Sequence, residues 1–273
     1  MRVIRISPTV LAALGRLVVA VSLLAALVVG VGLIGFFGAP PKARVAAPPE
    51  SPEIEPAQVQ PGAAAPPVEV PPVAPPPEQS SPGVDPIRQW ANEVSLSVDV
   101  PARALVSYAA ADLAMREHAP GCRISWSTIA GIGRVESNHG RYGHRQLGED
   151  GKPSQPIIGI KLDGGPDVRR ITDTDGGRLD GDTQHDRAVG PMQFIPSTWN
   201  KWATDGNGDG IGDPQNLDDA AIAAARYLCA GGRDMATGSG WWQGVMSYNN
   251  SVEYAQKVFG LAETYTAAGN RRE

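Results

Sequence analysis

The feature that most restricts how this chain folds is a proline-rich stretch over residues 39–86, which holds 16 of the 25 prolines. Apart from valine it has almost no large apolar side chains, so it cannot bury enough surface to offset the entropy lost on folding. We expect a disordered, extended linker that spans up to roughly 150 Å at the rise of a polyproline II helix. The foldable part is then residues 87–273, which we assign to one domain.

An uncharged, apolar run of 22 residues precedes this linker at positions 17–38. It is long enough to cross a bilayer as a helix. Arg2, Arg5 and Arg16 precede it, so the positive-inside rule places residues 1–16 in the cytoplasm. The alternative, a cleaved signal peptide, usually has an apolar region of about 7–15 residues. We predict a single-pass anchor in the cell membrane with the domain outside the cytoplasm; cleavage would make the protein secreted.

The charge of the chain limits the classes of partner. A net charge of −5 is mild, and a nucleic-acid-binding protein would need a basic patch. We therefore expect no nucleic-acid partner, and we expect a membrane contact through residues 17–38. The sequence does not identify protein partners.

Export changes the interpretation of the two cysteines. Cys122 and Cys229 are the only pair and both lie in the predicted domain. In an oxidising compartment such a pair favours a disulfide, although two buried free thiols are the alternative.

The domain has the pattern of a mainly helical fold. Apolar positions recur with helical spacing between capping residues and terminal glycines or prolines. A Gly/Asp-rich stretch at 141–189 interrupts this pattern as one long loop region, within which "PIIGIKL" (156–162) is a candidate strand. The predicted helices cover residues 100–122, 125–140, 196–203, 217–232, 240–249 and 252–268.

One acid lies on the apolar face of a predicted helix. Glu136 is seven residues after Ile129 in "SWSTIAGIGRVESNHG", and residues at that spacing share a helix face. A carboxyl group against an apolar wall loses hydration, so its pKa rises and it can deliver a proton near neutral pH. The alternative is a solvated residue at the helix end.

Three short motifs extend this hypothesis. After "ES" at the helix end come "GPMQF" (190–194) and "SYNNSVEYA" (247–255), in that order. Together they resemble the lysozyme-like lytic transglycosylases, in particular the membrane-bound lytic murein transglycosylase B type and its actinobacterial members with "DRAVGPMQFIPSTW". The resemblance covers roughly residues 100–268 and implies a lysozyme-like helical domain.

The resemblance also implies a reaction on the glycan strands of peptidoglycan. Such enzymes cleave the β-1,4 bond between N-acetylmuramic acid and N-acetylglucosamine. Glu136 would protonate the leaving oxygen, then act as base on the muramoyl C6 hydroxyl, which closes to a 1,6-anhydro end. No cofactor is needed for this catalysis. A non-catalytic wall-binding or calcium-binding scaffold is the alternative from a different class, but a binding module has no need of such an acid.

The same motifs imply further site residues. Gln193 would line the cleft and bind sugar, while Tyr248, Asn249 and Tyr254 would flank Glu136. Core packing at helical spacing is the alternative for the two tyrosines.

The acids of the 141–189 region leave a second mechanism open. Asp186 would be a second carboxylate if it approached the cleft, and a two-carboxylate site favours hydrolysis by water. The enzyme would then be a muramidase. The interpretation we prefer is a solvated, glycine-hinged loop, with an ion pair between Arg187 and an aspartate.

The segment "DGNGDGIGDPQN" (205–216) has the ligand spacing of an EF-hand. Its twelfth position is Asn216 instead of a bidentate glutamate, so Asn216, Asp218 or Asp219 would supply the last ligand. Some transglycosylases of the B type carry a similar loop. We predict a structural Ca²⁺ site, with a simple Asp/Gly turn as the alternative. The predicted ligands are Asp205, Asn207, Asp209, the carbonyl of Ile211, and Asp213, with Gly210 at the turn.

Overall fold

The computed structural model describes residues 53–68, 71, 85–166 and 168–271. Residues 1–16 and the predicted anchor at 17–38 lie outside these ranges. Within the described part of the chain, no helix combines the length and apolarity needed to cross a membrane.

The regular structure of the described residues consists of seven α-helices, two short strands and two single-turn 3₁₀ helices (Tyr142–His144 and Ala230–Gly232), which confirms the mainly helical prediction. The helix before residue 100 was not predicted. The elements are α1 (Pro86–Ser95), α2 (Ala102–His118), α3 (Trp126–Ser137), β1 (Ile158–Lys161), β2 (Arg187–Val189), α4 (Pro196–Trp202), α5 (Leu217–Leu228), α6 (Gly238–Tyr248) and α7 (Val252–Gly269).

Helix α3 lies at the centre of the domain, and most of its residues are buried. Two glycines allow its neighbours to come close: a β-carbon at Gly133 would collide with the Tyr108 hydroxyl of α2, and one at Gly131 would lie 3.0 Å from the Val258 carbonyl oxygen of α7. Glycine destabilises a helix interior by roughly 1 kcal/mol relative to alanine. Here that cost accompanies close packing of α3 between α2 and α7.

Helix α2 contacts both α3 and α5 through polar groups that are fully or partly buried. The carboxylate of Asp112 is fully buried and accepts the backbone N–H of Trp126 at 2.8 Å, where a negative charge favours the N-terminus of α3. At the other contact, Arg103 forms two hydrogen bonds with Asp218 of α5, at 2.9 and 2.5 Å.

The predicted disulfide is confirmed. Cys122, just after α2, is bonded to Cys229 at the end of α5, with 5.5 Å between their α-carbons. The bond closes a segment with a sequence separation of 107. In the chain-entropy model such a loop stabilises the fold by about 4–5 kcal/mol.

The 141–189 region is an ordered, mostly irregular layer around one small sheet. Strands β1 and β2 pair antiparallel, with Ile158 opposite Val189 and Lys161 opposite Arg187, and a bulge between these pairs. Aspartates fix the loops by accepting backbone N–H groups, as Asp173 does from three successive residues.

The linker prediction is wrong for residues 53–68, which we call the docking segment. It lies along α6 and α7 and bonds mainly through its backbone carbonyls. The Gln256 side chain donates to the Val59 carbonyl at 2.8 Å, and the Trp242 indole N–H donates to that of Ala63 at 3.2 Å. Composition did not predict this because the contacts use backbone groups and small side chains, not large apolar ones.

We predict that the docking segment stabilises the domain. A chain that begins at residue 85 should melt several degrees below one that begins at residue 48, because it loses these hydrogen bonds at about 1 kcal/mol each. Gln256→Ala removes the side-chain donor to the Val59 carbonyl, so it should lower the melting temperature of the longer chain only. Equal melting temperatures for the two chains, measured by calorimetry, would show that the segment contributes nothing.

Candidate active site

Glu136 lies in the last turn of α3, which ends abruptly. Ser137 is the last helical residue. Positive φ angles follow at Asn138 (52°), His139 (59°) and Gly140 (81°). This turn lets the buried hydroxyl of Ser137 accept the N–H of Gly140 at 2.7 Å and donate to the Pro191 carbonyl at 2.6 Å. The helix end that carries Glu136 is thereby attached to the "GPMQF" segment.

A tyrosine hydroxyl contacts the Glu136 carboxyl group directly. Tyr254, in the first turn of α7, donates to Glu136 Oε1 at 2.6 Å. Its own N–H is accepted by the cap residue Ser251 at 3.2 Å. Tyr254 therefore lies next to Glu136, as predicted. The capped first turn of α7 holds the tyrosine in this position.

The surroundings of Glu136 favour its neutral form. Its side chain is partly buried, and loss of hydration raises its pKa to about 7, while the hydrogen bond from Tyr254 lowers it in part. The negative charge of Glu136, after burial itself, raises the pKa of both Tyr248 and Tyr254. Both tyrosines thus stay protonated as donors in the range where Glu136 titrates.

The "GPMQF" segment forms a tight hairpin. Val189 and Phe194 exchange backbone hydrogen bonds at 2.8 and 2.9 Å. At its tip Gln193 has a left-handed φ of 49°, and its side-chain nitrogen donates to the Gly190 carbonyl at 2.9 Å. The carboxamide of Gln193 is therefore held in place before any ligand binds.

Tyr248 and Asn249 make their hydrogen bonds to backbone groups. The Tyr248 hydroxyl donates to the Met192 carbonyl at 2.7 Å, so it supports the hairpin and does not hydrogen-bond Glu136. Asn249 is exposed at the end of α6, where its backbone N–H donates to Val245. Aromatic neighbours fix the Tyr248 ring, with Phe194 at 6.0 Å and Tyr227 at 5.5 Å between ring centroids.

Asp186 is buried within its own loop region and is not exposed as a second carboxylate. It is fully buried, and its two oxygens accept the backbone N–H and the hydroxyl of Thr174 at 2.8 and 2.7 Å. The expected ion pair of Arg187 is present, with Asp182 at 3.1 Å. The interpretation as a solvated loop is therefore wrong for Asp186, whose buried carboxylate is stabilised by these two donors.

Aspartate carboxylates hold the 205–213 loop in shape by accepting backbone N–H groups. Asp205 accepts three backbone N–H groups, from Gly208, Asp209 and Gly210. Asp219, in the first turn of α5, closes the loop by accepting the N–H groups of residues 206, 207 and 213. Burial raises the pKa of Asp219, opposed by these hydrogen bonds.

The other two candidates for the last ligand are engaged elsewhere. Asn216 caps α5 by accepting the N–H of Asp218, and Asp218 binds Arg103. Of the predicted ligands, Asp213 forms an ion pair with Lys152 at 2.8 Å.

The sequence analysis did not predict one buried pair and one acidic cluster. The Tyr108 hydroxyl lies 3.0 Å from Nδ1 of the fully buried His139, behind the end of α3. Among the described residues, three acids bring oxygens within 4.8 Å of one another: Asp173, Asp175 and Asp186. Their spacing in "DTDGG" was a signal of a structured loop, but the contribution of Asp186 depends on the fold.

We predict that Glu136 lowers stability above neutral pH. Between pH 4.5, its ordinary pKa, and about 7 the folded state keeps a proton that the unfolded state has lost, so stability falls as the pH rises through this window. Glu136→Gln removes the cost and should raise the free energy of unfolding by about 1–3 kcal/mol at pH 8. The gain should vanish below pH 4.5.

Denaturant unfolding at both pH values measures this difference. Glu263→Gln, at an exposed position of α7, is the control and should show no such gain. An unchanged or lower stability of Glu136→Gln at pH 8 would mean that the carboxylate is not desolvated.

Comparison with known proteins gives one match along the sequence. Residues 186–243 match the family model described as "Transglycosylase SLT domain". That span covers the "GPMQF" hairpin, α4, α5 and the start of α6, and it leaves Glu136 and Tyr254 outside. No curated protein matches the chain.

Solved structures of lytic transglycosylases align with this chain at low similarity. Slt35 of Escherichia coli in complex with bulgecin A aligns over 70% of this chain and 81% of its own, with 14% identity and a TM-score of 0.35. SltB3 of Pseudomonas aeruginosa in complex with NAG-anhNAM-pentapeptide aligns over 68% of each chain, with 17% identity and a TM-score of 0.37. TM-scores below 0.5 do not establish a common fold, so the match within residues 186–243 carries the assignment. This match agrees with the resemblance predicted from the motifs: residues 186–243 are similar to the transglycosylase SLT domain.

Proposed function

We propose that this protein is a peptidoglycan lytic transglycosylase that cleaves the β-1,4 bond between N-acetylmuramic acid and N-acetylglucosamine and leaves 1,6-anhydro ends. The observation that carries the proposal is the Glu136 carboxyl group, with a pKa of about 7 and a 2.6 Å hydrogen bond from Tyr254. The transglycosylase SLT match supports the substrate class. A carboxyl group with this pKa is protonated in a useful fraction at neutral pH and is still a competent base once ionised.

The two roles of Glu136 follow one another in the reaction. Its proton passes to the glycosidic oxygen as the bond to C1 breaks, and N-acetylglucosamine leaves. The resulting carboxylate then removes the proton of the muramoyl C6 hydroxyl while O6 bonds to C1. The acid is regenerated and no water is consumed. Tyr254 holds Oε1 throughout, which leaves Oε2 to exchange the proton.

The remaining predicted residues have supporting roles in this proposal. Gln193, pinned at the tip of the hairpin, binds sugar through its carboxamide. Tyr248 holds the hairpin through the Met192 carbonyl, so it acts on the substrate through Gln193. Asn249 is exposed at the end of α6 and contacts the glycan from that side.

The place of action is also a proposal. Residues 17–38 anchor the protein in the cell membrane, with residues 1–16 in the cytoplasm and the catalytic domain outside it. This orientation rests on the arginines before the apolar run. It puts the domain in the compartment that contains peptidoglycan and that permits the Cys122–Cys229 disulfide.

Product analysis tests the reaction. Digests of purified peptidoglycan by the wild type should contain 1,6-anhydro ends, about 18 mass units lighter than the reducing ends that a hydrolase leaves. Glu136→Gln should lower muropeptide release at least about a hundredfold, as expected for loss of a general acid. Asp186→Asn should keep the anhydro products, because that carboxylate is buried on Thr174.

A muramidase would give the opposite pattern. Mainly reducing ends in the wild-type digest, lost in a folded Asp186→Asn protein, would replace our mechanism with hydrolysis by two carboxylates. A folded Glu136→Gln protein with near-normal release would remove Glu136 from the reaction altogether.

We further propose that the 205–219 loop holds a structural Ca²⁺, which takes no part in the chemistry. The donor set fits: oxygens of Asp205, Asn207 and Asp209 stand at EF-hand spacing with the Ile211 carbonyl, and the carboxylate of Asp219 is fully buried against the loop. A cation would offset the desolvation that raises the Asp219 pKa. Of the three candidates for the last ligand, we therefore propose Asp219.

Calcium should therefore raise the melting temperature, because a ligand that binds only the folded state stabilises it by mass action. Asp205→Ala together with Asp209→Ala should abolish the response, and Glu117→Gln at an exposed position of α2 should keep it. A wild-type melting temperature that ignores both calcium and chelator would mean that the loop is only a turn.

A further inference from the structure

The Gln193 carboxamide is confined from two sides. Its nitrogen donates to the Gly190 carbonyl at 2.9 Å. Its oxygen faces strand β1, where a β-carbon added to Gly159 would lie 2.8 Å from Gln193 Oε1. Real β-carbons essentially never approach a neighbour this closely, so the amide occupies space that a side chain at position 159 would take.

Glycine is needed at position 159 because the Gln193 amide leaves no room for a β-carbon, and not because of the backbone conformation. Gly159 lies within β1 and does not have the left-handed φ that favours glycine elsewhere in the chain. A glycine inside a strand often marks the close approach of another group. Here that group is the end of the flexible Gln193 side chain, with Ala188 next at 3.3 Å.

The backbone around Gly159 is fixed to the hairpin and to the loop before α5. The carbonyl of Ile157 accepts the Gly190 N–H at 2.9 Å, and both backbone groups of Ile157 bond to the Gln215 side chain, at 2.9 and 3.0 Å. A β-carbon at position 159 therefore cannot be relieved by moving the strand alone. The Gln193 side chain has to move instead.

From these contacts we infer that Gly159 is a positioning residue for Gln193, and that strand β1 forms a wall of the glycan-binding cleft. The 141–189 region then does more than connect α3 to the hairpin, since it sets the direction in which the Gln193 amide meets a sugar. The inference rests on the proposed function for the identity of the ligand. The placement of Gln193 by Gly159 does not depend on it.

Gly159→Ala tests the placement without any ligand. In NMR spectra the side-chain NH₂ resonances of Gln193 should shift and lose the signature of the hydrogen bond to Gly190. Gly165→Ala is the matched control from the same region, because a β-carbon there meets only Asp163 Oδ1, at an ordinary 3.4 Å. An unmoved Gln193 resonance in Gly159→Ala would overturn the inference.

Glycan binding tests the consequence. Chitotetraose, a β-1,4-linked tetramer of N-acetylglucosamine, is titrated into the Glu136→Gln protein, in which turnover does not interfere. Adding Gly159→Ala should weaken binding about fivefold, the loss of roughly one hydrogen bond, with little change in melting temperature. The same change added to Glu136→Gln with Gln193→Ala should have no further effect.

The outcomes separate this inference from the proposed function. A fivefold loss that persists in the Gln193→Ala background would show that Gly159 acts through the sheet, and it would overturn the inference. If the wild type forms no anhydro product but the binding losses occur as stated, the proposed reaction fails and the role of Gly159 stands.

Discussion

Loss of hydration at one carboxyl group is the physical constraint on which the rest of the domain depends. Glu136 has to lie against apolar surroundings to hold a proton near neutral pH, so the helix that carries it has to be enclosed. Gly131 and Gly133 permit this enclosure by letting α7 and α2 approach the backbone of α3. A carboxyl group at the exposed end of a surface helix would keep its hydration and ionise well below neutral pH.

Hydrogen bonds attach the end of α3 to the "GPMQF" hairpin. Ser137, next to the acid, and Tyr248, on α6, hold successive carbonyls of the hairpin at positions 191 and 192. The end of α3, the hairpin and α6 are therefore linked by hydrogen bonds although they are distant in sequence. Tyr254 of α7 adds a hydrogen bond to Glu136. Gln193 has a left-handed backbone conformation, which is a form of strain that functional sites often show. The hydrogen bonds to the carbonyls of residues 191 and 192 help to maintain it.

Much of this arrangement follows from local patterns. Helical spacing predicted Glu136 on the inner face with Ile129, and the expectation of export favoured the Cys122–Cys229 disulfide that the structure contains. Capping residues set most helix ends to within a few positions. What did not follow depends on contacts between distant segments. Whether Tyr248 or Tyr254 reaches the acid is decided by how α6 and α7 cross α3, and the burial of Asp186 requires Thr174 beside it. The docking segment was missed because backbone carbonyls carry its bonds, and composition does not register those.

The most direct measurement of the central claim is the pKa of Glu136 itself. The ¹³C resonance of its side-chain carboxyl group, followed by NMR from acid to alkaline pH, should titrate with a midpoint of about 7. In Tyr254→Phe the midpoint should move higher, because the hydroxyl that stabilises the charged form is gone. A midpoint near the ordinary value of 4.5 in the wild type would contradict the account, since Glu136 would then hold no proton to deliver at neutral pH.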